Sequence, residues 1–137
     1  MSIGIAKSSP LNWFREDGLI VLSASELRGE NLRTGVRALV ARQHDHPRSL
    51  VSSFEALHGE FLTLRRQLFP RGWTSPHVVL CLDGLDEGGY TAIEIRALRE
   101  AALAVGLRKI WLVSGPLVAA QARQFFAAGA PLPGAID

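Results

Sequence analysis

The feature that most constrains this chain is the pattern of its second half. Val78-Val79-Leu80-Cys81-Leu82 is an unbroken apolar run between Pro76 and Asp83-Gly84, which is how a strand reads when both its faces are covered. After a Gly-rich connection, Ile95, Leu98, Ala102 and Val105 fall at helical spacing, and Gly106 stands where a helix C-terminal cap belongs. Ile110 to Val113 reads as the next strand, and Gly115-Pro116 reads as opening a second helix through about Phe126, with proline at its first position. Strand, helix, strand and helix of these lengths require a parallel pair joined by a right-handed crossover. The expected class is therefore α/β.

The first half is expected to supply a β-meander. Ile3 and Ile5 alternate with small residues, Leu11 to Phe14 can form a second strand, and Leu19 to Leu22 a third, with Asp17-Gly18 as the turn before it. Leu32, Val36, Leu39 and Val40 recur at helical spacing, which predicts a helix over 31–42. A second helix is predicted from Phe54, Leu57, Phe61, Leu64 and Leu68, capped by Ser52 and Glu55 and ending near Phe69-Pro70. The whole chain, 1–137, reads as a single domain, with 43–50 and 69–76 as loops and 129–137 as a tail.

Composition narrows the function classes. With 47% hydrophobic and 20% charged residues the chain is not disordered, and a formal charge of +2 over 137 residues is small for a nucleic-acid binder, so no nucleic-acid partner is expected. Met1 to Ile5 lacks the basic and apolar regions of a secretory signal, which predicts a cytoplasmic protein. The single cysteine, Cys81, has no mate for a disulfide and reads as a small buried hydrophobe.

Few residues carry chemistry. His44, Asp45, His46 and His58 match no zinc spacing and read as a solvated loop. Asp83 to Thr91 follows a strand and holds Gly88 and Gly89, so its backbone could cradle a phosphate. However, Asp83, Asp86 and Glu87 would repel one, and neither phosphate-loop fingerprint is present. Leu68-Phe69-Pro70-Arg71-Gly72-Trp73 is the candidate contact surface: Leu68, Phe69 and Trp73 would insert into a membrane or partner while Arg65, Arg66 and Arg71 meet anionic groups. The alternative is a loop folded back onto the core.

Pro76 to Cys81 and the long stretch Ala97 to Ala120, together with Val51-Ser52-Ser53-Phe54-Glu55 and the hairpin-like Ile3 to Leu22, resemble the first lobe of the MreB-type rod-shape-determining bacterial actins. That resemblance implies an actin-like, ribonuclease-H-like lobe: an N-terminal meander followed by the parallel strand-helix-strand-helix unit. It also implies lost chemistry. Gly4-Ile5-Ala6-Lys7 stands where the family carries the Asp-x-Gly-Thr of its first phosphate loop, so Gly4, Ala6 and Lys7 mark a degenerate site. Ser114-Gly115 stands where the family has the Glu-Glu that helps place the hydrolytic water. No cofactor is expected, with ATP and magnesium binding only if another chain supplies a second lobe. The implied function is a non-catalytic scaffold for a protein partner, a bacterial actin filament or further copies of itself. In the family a Leu-Phe loop before the matching strand touches membrane, which implies a peripheral position at the inner membrane face. Two other readings remain open: a phosphate-ligand domain or enzyme using 83–91, and an anti-sigma-antagonist-like regulator with Thr91 in its loop.

Overall fold

In the computed structural model, which describes residues 15–42, 54–83 and 91–136, one mixed sheet organises the chain. Among the described residues there are six strands and three helices: β1 (Arg15–Leu22), β2 (Glu26–Asn31), β3 (Arg37–Ala41), α1 (Phe54–Leu68), β4 (Ser75–Leu82), α2 (Ala92–Ala104), β5 (Lys109–Ser114), α3 (Ala119–Ala128) and β6 (Ala135–Ile136). The strand order is β3-β2-β1-β4-β5-β6. The β1-β2-β3 meander is antiparallel, β1 pairs parallel with β4 and β4 with β5, and β6 returns antiparallel to β5.

The strand-helix-strand unit β4-α2-β5 is as expected. β4 is buried along most of its length, and β5 at Ile110, Leu112 and Val113, because helices cover both faces. Gly106, at φ 96°, follows the last turn of α2 in the conformation where a side chain would be strained. On one sheet face Ile20, Leu22, Leu27, Val78, Leu80 and Leu112 pack against α1 and α2. On the other, Leu19, Val21, Val79, Cys81 and Val113 meet Leu117, ahead of α3, and Ala122 within it.

The structure differs from the expectation in five places. The predicted turn Asp17-Gly18 lies inside β1, where Gly18 pairs with Asn31 and with Val78. The predicted helix over 31–42 is a turn followed by β3. A hairpin closes here instead: Asn31 N donates to Val36 O (2.8 Å), and Asn31 Oδ1 accepts from Arg33 N (3.0 Å) and Thr34 N (3.2 Å). Such local bonds compete with helix formation. The supposed tail contains β6, with Leu112 opposite Ile136, and the loop after α1 already becomes β4 at Ser75. The second helix of the parallel unit starts at Ala119 rather than at Pro116, with Gln121 Oε1 accepting from Val118 N (3.0 Å). The strands predicted at 3–5 and 11–14, the cap Ser52 and the loop 43–50 lie outside the described residues.

Gly18 and Gly29 explain how α1 joins the meander. A Cβ on Gly18 would stand 2.6 Å from Phe69 Cζ, and one on Gly29 would stand 2.6 Å from Leu68 Cδ1. Each glycine is therefore a socket for one side chain at the end of α1. Gly18→Ala should cost about 1–3 kcal/mol by overpacking, and Phe69→Ala about 3–5 kcal/mol by the cavity it leaves. Trp73→Ala, on the exposed side of the same segment, should cost under about 1 kcal/mol. Urea unfolding of the three variants checks the order, which would reverse for Phe69 and Trp73 if the corner faced solvent.

Candidate functional site

Because β1, β4 and β5 run parallel, Leu22, Leu82 and Ser114 end on one rim of the sheet, where open α/β folds hold ligands. Asp83 N donates to Leu22 O (2.8 Å) and Gly115 N to Leu82 O (3.1 Å), which ties the rim together. The turn from β1 to β2 is Ser23-Ala24-Ser25, and its polar groups bond inward. Ser23 Oγ donates to Glu26 O (3.1 Å) and accepts from Glu26 N (3.2 Å). Arg42, paired with Glu60 at 2.8 Å, donates Nη1 to Ser23 O (2.8 Å).

At the same rim Thr91 caps α2. Its Oγ1 accepts from Glu94 N (3.1 Å) while Thr91 N donates to Glu94 Oε1 (3.0 Å), the reciprocal bonds of a capping box. Of the first-turn amides, that of Glu94 is already engaged by Thr91. Gly88 and Gly89, like Gly4, Ala6 and Lys7, lie outside the described residues. Cys81 is fully buried and its Sγ donates to Gly115 O. Burial, followed by the nearby charge of Asp83, pushes its pKa up to about 11, so at neutral pH it is a thiol rather than a nucleophilic thiolate. His58 stacks on Phe54 with ring centroids 6.3 Å apart, and among the described residues no cluster suits a metal ion.

The predicted contact surface divides. Leu68 and Phe69 are 1% and 0% exposed, so the expectation that they stand out for insertion is corrected. The reason is their sockets, together with the carbonyls around them. Asn31 Nδ2 donates to Leu68 O (3.0 Å) and to Glu16 Oε1 (3.1 Å), and Arg65 Nη1 donates to Phe69 O (2.5 Å). These bonds satisfy carbonyls that a helix end leaves open. Arg65 is buried with them; burial lowers its pKa and the charge of Glu16 opposes that shift. Arg66, Arg71 and Trp73 do face outward, with the Arg71 guanidinium 5.8 Å from the centre of the Trp73 ring.

A different surface emerges on the sheet itself. α3 lies over the central strands, and Arg123 on its flank holds Glu30 of β2 at 2.7 Å. Beyond that contact Leu19, Val21, Arg28, Gly29, Glu30 and Arg37 line an open hollow of about 230 Å³. Arg28 pairs with Glu26 (3.2 Å) and Arg37 with Glu30 (3.3 Å), and Leu39 is 55% exposed beside them. The period-two alternation of Glu26, Arg28 and Glu30 is the sequence signal for this face. It escapes a helical reading of the next segment, which moves Arg37 and Leu39 off the sheet. No family model matches this chain, and no curated protein does.

The Cys81 environment has a measurable consequence. A thiol-specific reagent should label the folded protein far more slowly than the unfolded chain. Because the folded pKa lies above the ordinary 9.0, the contribution of the protonated thiol is complete below that value and falls as pH rises toward about 11. Melting temperature should therefore drop over that interval, and Cys81→Ala should flatten the drop.

Proposed function

We propose that this chain is a non-catalytic, actin-like scaffold domain that binds protein partners at a bacterial cytoskeletal or cell-shape complex on the cytoplasmic side of the membrane. The observation that carries the reading is the sheet. One meander, β1 to β3, is joined through the parallel β1–β4 pair to the β4-α2-β5 unit; these are the kinds of element that the bacterial-actin resemblance implies, with the meander at 15–41 where the resemblance put it at 3–22.

The loss of chemistry is supported at the rim. The positions that the resemblance assigns to the first phosphate loop, Gly4, Ala6 and Lys7, lie outside the described residues; at the rim that is described, the β1–β2 turn Ser23-Ala24-Ser25 carries neither an acidic residue nor a glycine. Its polar groups are bonded to Glu26 and Arg42 instead. At the end of β5, Ser114-Gly115 offers no carboxylate to orient a water.

A membrane contact is retained in the proposal only for the exposed Arg66, Arg71 and Trp73. Among the described residues no helix is long and apolar enough to cross a membrane. The phosphate-ligand and anti-sigma-antagonist readings both depend on 83–91, where the described end, Thr91, is engaged in its own capping box.

Isothermal titration with ATP and magnesium should give no micromolar binding and no turnover, while the protein should co-pellet with polymerised bacterial actin above its own background. Tight ATP binding with turnover would sink the non-catalytic reading, and absence from the pellet would sink the filament partner. Liposome sedimentation should weaken in the Arg66→Glu, Arg71→Glu protein and stay unchanged in Phe69→Leu.

A further inference from the structure

The outer edge of β3 has no neighbouring strand among the described residues. Two bonds at the ends of the β2–β3 ladder show which backbone groups face that edge. Asn31 N donates to Val36 O (2.8 Å), and Arg42 N donates to Ser25 O (2.9 Å), so the even-numbered positions turn their polar groups toward β2. Antiparallel ladders alternate. Arg37, Leu39 and Ala41 therefore direct N–H and C=O away from the sheet, and all three residues are exposed.

β3 also lacks the devices that keep an edge strand single. It has no proline, its pairing with β2 runs without a bulge from Arg37 to Ala41, and its one charge sits at its end. From this we infer that β3 pairs antiparallel with β3 of a second copy of this chain, about a two-fold axis through Leu39. This names one partner for the scaffold domain proposed above, yet it stands on the edge geometry alone.

The chemistry of the strand selects that register. Centred on Leu39, outward-facing groups of one copy meet outward-facing groups of the other, Leu39 opposes Leu39, and Arg37 opposes Ala41. Pairing shifted by one residue sets outward groups against inward ones and loses the ladder, and a two-fold centre at Ala38 or Val40 leaves two of the five strand residues without a partner in the other strand. A register centred on Arg37 sets guanidinium against guanidinium, which is unfavourable. In the chosen register Arg37 of one copy lies beside Ala41 of the other, whose own neighbour on β2 and on the same face is Glu26. The small Ala41 side chain leaves Arg37 room to reach that carboxylate, while its own Glu30 flanks it on the other side. The interface is isologous, so each contact occurs twice.

Size-exclusion chromatography with light scattering should show a dimer of the full chain. Leu39→Cys should form a disulfide-linked dimer on mild oxidation, because hydrogen-bonded partners stand about 5.5 Å apart at Cα. Arg37→Cys should not, since in this register the two cysteines are offset by four residues, about 13 Å. Leu39→Pro removes an outward N–H and none of the β2 ladder, and should raise the dissociation constant at least about tenfold with the circular dichroism spectrum kept. A monomer at up to about 1 mM, cross-linking through Arg37→Cys, or failure of Leu39→Cys to cross-link would each overturn the inference. So would a monomer that takes up a foreign extended peptide at this edge. None of these outcomes bears on ATP binding or filament co-pelleting, which test the scaffold reading separately.

Discussion

The seating of Leu68 and Phe69 against Gly29 and Gly18 is the contact on which the first half of the fold depends. α1 is the element that returns the chain from the end of the meander to the start of β4. Its last side chain and the next one enter the sheet where two strands have no Cβ. Side chains at either glycine would meet hydrocarbon at 2.6 Å, closer than packed atoms stand. The same corner satisfies helix-end carbonyls with Asn31 and Arg65, so apolar packing and polar closure depend on one another. Around it lie two buried opposite charges, Glu16 and Arg65, whose mutual attraction offsets part of the burial penalty.

That corner makes the two sheet faces unequal. With α1 and α2 on one side, the large aliphatic residues of β1, β2 and β4 are enclosed. On the other side α3 packs over the central strands, and Arg123 reaches only as far as Glu30. Arg28, Arg37 and Leu39 are left on the surface beside a strand edge, which joins charge, apolar area and free backbone groups in one region. At the rim, among the described residues, Ser23 bonds to Glu26, Arg42 to the Ser23 carbonyl, and Thr91 to Glu94.

How much of this was legible in the sequence varies with the range of the interactions involved. α1, β4, α2 and β5 could be read directly, because a buried helix face and a doubly covered strand impose their periods on the residues themselves. The capping glycine at Gly106 was equally readable, since one backbone angle demands it. Asn31 was not. Its side chain serves a turn, a helix end and a carboxylate at once, and the partners at Glu16 and Leu68 are distant in the chain.

By itself, then, the sequence determined an α/β domain with a parallel strand-helix-strand unit, because local spacing encodes which faces are apolar. Only the tertiary structure decided that Gly18 is a socket rather than a turn, that Phe69 is core rather than surface, and that 37–41 is an edge strand rather than a helix. Each of those outcomes depends on what packs against the residue from far along the chain. Spacing within a segment carries no record of that neighbour.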